Sequence, residues 1–204
     1  MGTRNLTMVY LDGEYKVAKY CQWDGYPSGQ GLEILNFLRS LVHLENVEEF
    51  KNRLNKLPAF DYKKADQVWN DAGADDSGLV SFDISHKVRE SHPEIHRDTG
   101  APILGLILNN KIGEQGIPFD LNFAGDSLFC EWGYVVDLDK NTFEVFEGGV
   151  EEPLTEDDRF HNIPVTSDNK GYYQIKLVKS YDLNNLPTDE EFLNDLEPQQ
   201  EDEE

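Results

Sequence analysis

Basic residues are scarce in this chain: 18 lysines and arginines face 40 aspartates and glutamates, which gives a formal net charge of -22. Proteins that bind nucleic acids or anionic membrane surfaces use clusters of Lys and Arg to neutralise phosphates. The sequence contains no such cluster, so we expect neither a nucleic-acid partner nor a membrane partner. The acidic excess favours solubility, and part of it lies in the C-terminal segment EPQQEDEE.

Cysteines and long apolar runs are also scarce. Cys21 and Cys130 do not form a C-x-x-C motif, which argues against a zinc ribbon or a dithiol redox site. No apolar run approaches the ~18 residues that a membrane-spanning helix needs. The segment MGTRNLT has neither the basic start nor the apolar core of a secretory signal. We therefore expect a cytoplasmic protein with reduced thiols and no bound cofactor.

The first part of the chain predicts a β-hairpin followed by helices. Residues 6–11 and 14–21 are expected to pair around Asp12-Gly13, with Tyr15, Val17, Lys19 and Cys21 on one face. Apolar residues at helical spacing predict helices over 31–41, 46–57, 61–71, 84–91 and 102–109. Asn46 and Glu49 have the spacing of a capping box, and so do Thr188 and Glu191 before a short helix that ends near residue 196.

The second part of the chain predicts further strands over 127–138, 143–147 and 172–179, with a short strand near 119–123. The elements are segregated along the chain, which predicts an α+β fold. We expect a mostly antiparallel sheet, made of the N-terminal hairpin and the C-terminal strands, with the middle helices packed on one face. Residues 1–183 are expected to form one domain, and residues 184–204 a short terminal helix and an acidic disordered tail.

The connection QWDGYPSGQG, residues 22–31, predicts a ligand site. A glycine-rich segment that leads into a helix can hold an anion, because unpaired backbone N–H groups and the helix dipole both attract negative charge. A second polar segment, Arg97-Asp98-Thr99-Gly100, also precedes an apolar helical run. If both helices lie on one sheet face, their N-termini converge at Asp24. The candidate ligand-binding residues are Arg4, Trp23, Gly25, Tyr26, Ser28, Gly29, Gly31, Arg97, Asp98 and Thr99.

A purely structural interpretation of the same segment stays open. Connections between strands and helices often need glycine, and Trp and Tyr often close the end of a sheet. The segment lacks both the Gly-Lys-Ser/Thr of a P-loop and the spacing of G-x-G-x-x-G.

Several side chains suggest chemistry. Cys21 adjoins the 22–31 segment and is a candidate nucleophile if a nearby cation lowers its pKa, with Asp24 in support. Glu131 is a candidate for a carboxylate pair with Asp24 or Asp98. His86, His92 and His96 suggest a metal, but Pro93 follows His92 and interrupts the helical spacing that ligands need, so we expect no metal site.

Four stretches, MGTRNL, QWDGYPSGQG, RDTGAPIL and CEWGYVVDLD, resemble the shared signatures of a family of uncharacterised microbial proteins from fungi, bacteria and phages. The resemblance covers most of residues 1–148. It implies a compact domain and no particular chemistry.

The start of the chain is also similar to proteasome-type N-terminal-nucleophile hydrolases. Gly2-Thr3, a strand, a tight turn and a return strand occur in the same order. This resemblance implies Thr3 as a nucleophile whose own α-amino group serves as base. The family's early aspartate and its lysine have no clear counterparts, since Asp24, Lys16 and Lys19 are placed differently.

Three hypotheses about function follow from the sequence. The first is a cytoplasmic binding domain for a small anionic ligand at residues 22–31, assisted by Arg4 and Arg97. The second is a hydrolase that uses Thr3 or Cys21. The third is a protein-interaction module in which Phe192, Leu193 and Leu196 of the acidic helix over residues 188–196 dock into a partner.

Overall fold

The computed structural model describes residues 2–75, 80–166 and 171–197. The strands in this part of the chain are β1 (Asn5–Leu11), β2 (Glu14–Cys21), β3 (Trp132–Asp137), β4 (Thr142–Glu147) and β5 (Lys176–Asp182). They form a five-stranded sheet in the order β2-β1-β3-β4-β5. Neighbours are antiparallel except β1 and β3, which are parallel. The prediction of an α+β fold with a mostly antiparallel sheet is confirmed.

The β1–β2 hairpin turns at the predicted position. Asp12 and Gly13 both have positive φ, at 55° and 80°. Positive φ at both central residues is what a two-residue turn of this kind requires. Asp139 in the β3–β4 turn accepts the N–H groups of Asp12 and Gly13 through its two oxygens, each at 2.9 Å. The two turns at this end of the sheet are therefore joined.

An irregularity in the hairpin reverses one side chain. The pairs Val9–Val17 and Tyr10–Tyr15 are separated by a register shift. One extra residue in β2 interrupts the alternation of faces, because successive strand residues point to opposite sides. Val17 therefore packs in the core on the helix side, whereas Tyr15 packs on the other side. The expectation that Tyr15 shares a face with Val17 is wrong for this reason.

The helices of the described chain are α1 (Leu32–His43), α2 (Val47–Leu54), α3 (Tyr62–Ala72), α4 (Phe82–Ser91), α5 (Pro102–Leu108) and α6 (Asp189–Leu196). Side chains from α1, α2, α5 and α6 share one apolar core with the sheet. The pair α3 and α4 forms a smaller cluster around Ala65, Val88 and Ile95. Each large apolar side chain buried in this way contributes about 1.5–3 kcal/mol. Helix packing on one sheet face is thus the main source of the core.

Irregular chain covers the other face of the sheet. Segments around residues 121–130 and 150–175 pack Phe160, Ile175 and neighbouring apolar residues against Leu6, Met8 and Phe146. The sheet is therefore buried on both sides. The face opposite the helices depends on loops whose sequence carries no periodic signal.

The strand boundaries differ from the predicted ones where loops take the hydrogen bonds. Residues 121–125 form a single 3-10 turn instead of a strand. β3 starts at Trp132 because Cys130 donates its N–H to Asp126 O in a turn. β5 starts at Lys176, since Tyr173 and Ile175 donate to Val150 O and Ala124 O.

The two capping boxes had different outcomes. Thr188 and Glu191 form the predicted reciprocal bonds at the start of α6. Asn46 precedes α2, but its side chain makes no cap hydrogen bond, so that prediction is wrong. Among the described residues, no helix is both long enough and apolar enough to cross a bilayer.

Candidate functional site

The two polar segments singled out in the sequence lie side by side at one end of the sheet. Gln22 donates its backbone N–H to Arg97 O at 3.0 Å. The buried Gln30 side chain accepts the N–H of Ala101 at 2.6 Å, at the start of α5. The segment 22–31, called here the 22–31 loop, and residues 97–100, called the 97–100 turn, therefore form one surface, as the shared-site hypothesis requires.

The backbone donors of the 22–31 loop are mostly used inside the protein. Gly25 donates to Thr3 O, and Gln30 donates to Asp24 O. Gly29 and Gly31 both donate to Tyr26 O, which closes a single π-helical turn over Pro27–Gly31 before α1. An anion cannot use N–H groups that already have acceptors. The expected backbone cradle for an anion is therefore largely filled.

Ser28 also uses its donors within the protein, where they hold the carboxylate of Glu197. Its backbone N–H and its hydroxyl donate to Glu197 Oε1 at 3.3 and 3.2 Å. Glu197 follows α6, so the acidic C-terminal segment reaches the start of α1. The attraction between a helix N-terminus and a carboxylate is thus realised within the protein.

Two glycines of the loop are required by close packing. A Cβ atom on Gly25 would lie 2.7 Å from Thr3 O. A Cβ atom on Gly31 would lie 3.1 Å from the rings of Phe192 and Tyr134. The buried Tyr134 hydroxyl also donates to Gly25 O at 2.7 Å. These contacts fasten the loop to β3 and α6.

The aromatic residues of the loop face outward. Trp23 is 47% exposed and Tyr26 is 50% exposed, and Trp23 covers the buried Gly2. Asp24, also exposed, adopts a left-handed backbone with φ at 59°. The loop therefore presents two aromatic side chains and one carboxylate to solvent.

Arg4 and Arg97 lie at the same end of the sheet as the 22–31 loop, since Gln22 donates to Arg97 O and Gly25 donates to Thr3 O, next to Arg4. Burial raises the pKa of Tyr20, and the charges of Arg4 and Arg97 both oppose that rise. Tyr20 packs with the loops that cover the face opposite the helices, and its hydroxyl donates to Gln22 Oε1 at 2.6 Å. The charges of both arginines therefore act on the same phenol.

The Arg4 guanidinium lacks a carboxylate partner within salt-bridge distance in the described part of the chain. It stacks on the Phe129 ring at 4.3 Å, and its buried Nε has no hydrogen-bond acceptor within the described ranges. Arg97 is exposed and pairs with its neighbour Asp98 at 3.5 Å. We name Arg4, Tyr20, Gln22, Arg97 and Phe129 the arginine cluster.

Asp24 is placed among other acids. Burial of Glu33 raises the pKa of its carboxyl, and the nearby charge of Asp24 raises it further. Burial raises the pKa of Tyr134, and the negative charges of Glu197 and Asp24 raise it further. Within the described residues Asp24 makes no ion pair with Arg4 or Arg97. The charges of the predicted site residues thus act on different groups, the arginines on Tyr20 and Asp24 on Glu33 and Tyr134.

The two candidate nucleophiles are inaccessible. Cys21 is fully buried, its Sγ donates to Trp23 O at 3.4 Å, and burial raises the pKa of its thiol. Thr3 is buried beneath Gly2 and Gly25, and its carbonyl accepts from Gly25 N–H. A raised thiol pKa and closed surroundings disfavour nucleophilic attack.

Sequence reasoning missed a serine that contacts His96. Ser85 Oγ in α4 lies 2.8 Å from His96 Nε2, and Asp98 Oδ2 lies 3.9 Å from His96 Nδ1. The order resembles a Ser-His-Asp triad, but Asp98 donates its backbone N–H to Nδ1 at 3.2 Å. Nδ1 is then the acceptor and Nε2 carries the proton, which is the wrong tautomer for a base that activates Ser85.

Thr99 and Lys19 complete the buried side of the 97–100 turn. Thr99 donates its N–H to His96 O at 3.1 Å. Lys19 is only 2% exposed and donates its ammonium group to His96 O at 3.0 Å and to Tyr20 O at 3.2 Å. Burial lowers the pKa of Lys19, and the same cause lowers the pKa of His96. These polar groups hold the turn against β2.

In the part of the chain that the structure describes, the acidic and histidine side chains do not assemble into a metal site. Glu131 accepts the backbone N–H of Arg4 at 3.1 Å. His86 pairs with Glu90 at 3.5 Å on α4, while His96 is buried against Ser85. In the described ranges, no three His, Cys, Asp or Glu side chains are grouped so that they could hold a metal ion.

Comparison with known proteins gives no relative from which a function could be transferred. No family model matches the chain, and no curated protein or solved structure is similar to it. Function is therefore argued from the geometry of the chain itself.

Proposed function

We propose that this protein is a cytoplasmic binding domain for a small anion, of the carboxylate or phosphate class, that binds at the arginine cluster. The observation that carries the proposal is the Arg4 guanidinium, which stacks on Phe129 at 4.3 Å and whose buried Nε has no hydrogen-bond acceptor among the described residues, in a protein of net charge -22. Two cations in an otherwise acidic protein make a local site for negative charge.

Arg4 supplies the stronger contact. Its guanidinium is half-buried over Phe129, and its buried Nε is left without an acceptor. A guanidinium presents donors in a planar fork that matches the oxygens of a carboxylate or a phosphate. A buried donor without a partner costs about 1–3 kcal/mol, so an anion that accepts from it relieves that cost.

Arg97 and Gln22 extend the site toward solvent. Arg97 is exposed and is bound to the 22–31 loop through its backbone carbonyl. The carboxamide oxygen of Gln22 accepts from Tyr20, which leaves its NH₂ group to donate.

This proposal moves the ligand away from the start of α1. Glu197 already accepts the two donors of Ser28, and Asp24 and Glu33 add negative charge on that side. Like charges there oppose an external anion. The 22–31 loop then acts as a support, because Gln22 donates its backbone N–H to Arg97 O.

The test is titration of the ¹⁵N-labelled protein with inorganic phosphate and, separately, with acetate at constant ionic strength. We expect saturable shifts of the backbone amides of Tyr20, Gln22 and Arg97. Arg97→Gln weakens the binding by roughly fivefold, in line with the loss of one charge-assisted hydrogen bond at an exposed position. The two anions separate a phosphate site from a carboxylate site.

Lys111→Gln is the matched control, because Lys111 is an exposed cation outside the arginine cluster. It removes the same charge and leaves the affinity within about twofold. The proposal fails if neither anion produces saturable shifts at these amides. It also fails if Arg97→Gln and Lys111→Gln weaken binding equally.

A further inference from the structure

A cavity of about 360 Å³ lies at the opposite end of the sheet from the arginine cluster. It opens beside the β1–β2 and β3–β4 turns, under the segment that follows β4. Its volume falls in the range of sites that hold small organic molecules. The lining residues are Tyr10, Tyr15, Asp137, Lys140, Glu144, Phe146, Asp157, Asp158, Arg159 and Leu177. We call it the tyrosine cavity.

The floor of the tyrosine cavity is a buried ionic network. Arg159 donates to Asp137, and its Nε lies 2.6 Å from Glu144 Oε2. Asp137 is fully buried and also accepts the backbone N–H groups of Asp139 and Lys140 at 3.0 and 2.8 Å. The network is rigid, because each carboxylate is held by more than one donor.

The wall of the cavity is aromatic. The rings of Tyr10 and Tyr15 pack edge to face with centroids 5.0 Å apart. The Arg159 guanidinium lies 5.2 Å from the centre of the Tyr10 ring. A cation held over an aromatic face is stabilised by the ring quadrupole. The protein thus already places one organic cation against this wall.

The charges around the cavity leave an excess of negative charge. Asp137, Glu144, Asp157 and Asp158 outnumber Lys140 and Arg159. Asp158 is bound by Thr155, whose N–H and hydroxyl donate to it at 2.8 and 2.9 Å. Asp157 is exposed and forms no ion pair among the described residues. The whole chain, at -22, adds to the attraction for a cation.

We propose that the tyrosine cavity binds a small organic cation of the guanidinium or alkylammonium class. The cation lies against Tyr10 and Tyr15 and pairs with Asp157 at the mouth, while Phe146 and Leu177 enclose its apolar part. Two features support the same ligand class, namely the aromatic wall formed by Tyr10 and Tyr15 and the carboxylate of Asp157, which forms no ion pair among the described residues. This site is separate from the arginine cluster in position and in the sign of its ligand.

The experiment uses methylguanidinium chloride as the probe and N-methylurea as its neutral analogue of similar shape. Each is titrated into the ¹⁵N-labelled full chain at constant ionic strength. We expect saturable shifts at the backbone amides of Tyr15, Lys140 and Arg159 with methylguanidinium, and none with N-methylurea. Asp157→Asn weakens methylguanidinium binding at least threefold.

Glu156→Gln is the control, because Glu156 is an exposed acid next to Asp157 that does not line the cavity. It leaves the affinity for methylguanidinium within about twofold. Equal weakening by both variants would show attraction to the net charge alone and would overturn the proposal. So would equal binding of N-methylurea, or shifts spread over acidic residues far from the cavity.

Discussion

At the scale of single residues, the glycines of the 22–31 loop serve packing more than ligand binding. Gly25 lies against Thr3 O, and Gly31 lies against Tyr134 and Phe192. In both places a side chain would meet atoms that belong to the core or to a fixed backbone. The composition that suggests an anion-binding loop is therefore accounted for largely by close approach.

Gly25→Ala tests this explanation. Its new Cβ would lie 2.7 Å from Thr3 O and 2.8 Å from Asn5 Nδ2, so the loop has to shift. We expect the free energy of unfolding to fall by roughly 1–3 kcal/mol, as for other overpacked positions. Urea denaturation monitored by tryptophan fluorescence measures the change.

Gly105→Ala is the matched control. Gly105 lies within α5, and apart from its chain neighbours and the backbone of its own helix, no atom lies within 4 Å of the Cβ that the substitution adds. Alanine restricts the unfolded chain and favours the helix, so stability should rise by about 0.5 kcal/mol. If both substitutions destabilised the protein to the same degree, close packing at Gly25 would not be the reason for its glycine.

At the scale of elements, α6 is attached to its own domain by contacts of several kinds. Phe192 is fully buried and stacks on Phe143 with ring centroids 5.9 Å apart. Asp195 pairs with Lys179 at 2.9 Å. Phe192, the apolar side chain that would anchor the helix in a partner, is therefore already buried in the core of this protein. The remainder of the acidic tail, residues 198–204, lies outside the described residues.

Phe192→Ala should lower the free energy of unfolding by about 3–5 kcal/mol, because it empties a buried aromatic position in the main core. Phe82→Ala is the control, since Phe82 is 83% exposed, and its effect should stay within about 0.5 kcal/mol. Thermal and urea denaturation measure both. A small effect of Phe192→Ala would mean that α6 spends much of its time away from the domain, as an interaction module would require.

At the scale of the whole molecule, the repulsion among the many acidic side chains destabilises the folded state. The sheet is covered by helices on one face and by loops on the other, and the resulting compact chain holds 40 acidic residues against 18 basic ones. Bringing like charges together destabilises the folded state. The buried ion pairs of Arg159 are shielded from solvent, so added salt acts chiefly on the exposed acids.

Raising NaCl from about 20 mM to about 300 mM should therefore raise the melting temperature by a few degrees, because salt screens the repulsion between exposed acids. Differential scanning calorimetry at neutral pH measures the effect. KCl should act equally if screening is the cause. A melting temperature that falls with salt would mean that exposed ion pairs stabilise the protein more than the excess acids destabilise it.

Parts of the fold and of the candidate site could be predicted because they depend on local chemistry. Asp12-Gly13 predicts the hairpin turn through its tolerance of positive φ, and Thr188 with Glu191 predicts the start of α6. The adjacency of the 22–31 loop and the 97–100 turn follows from placing two helices on one sheet face. The lack of an ion pair between Asp24 and either arginine in the described residues was not predictable, because it depends on which face of the sheet each segment covers.

The sequence by itself determined the α+β class, the turn at the first hairpin and the positions of most helices, since spacing and turn residues act over a few neighbours. Only the tertiary structure decided that Glu197 occupies the donors of Ser28, that Arg4 lies on Phe129 and that Arg159 joins Asp137 to Glu144. These partners are separated by 15 to 169 positions along the chain. Their encounter depends on the parallel pairing of β1 with β3 and on the loops packed over the second sheet face, which no local pattern encodes.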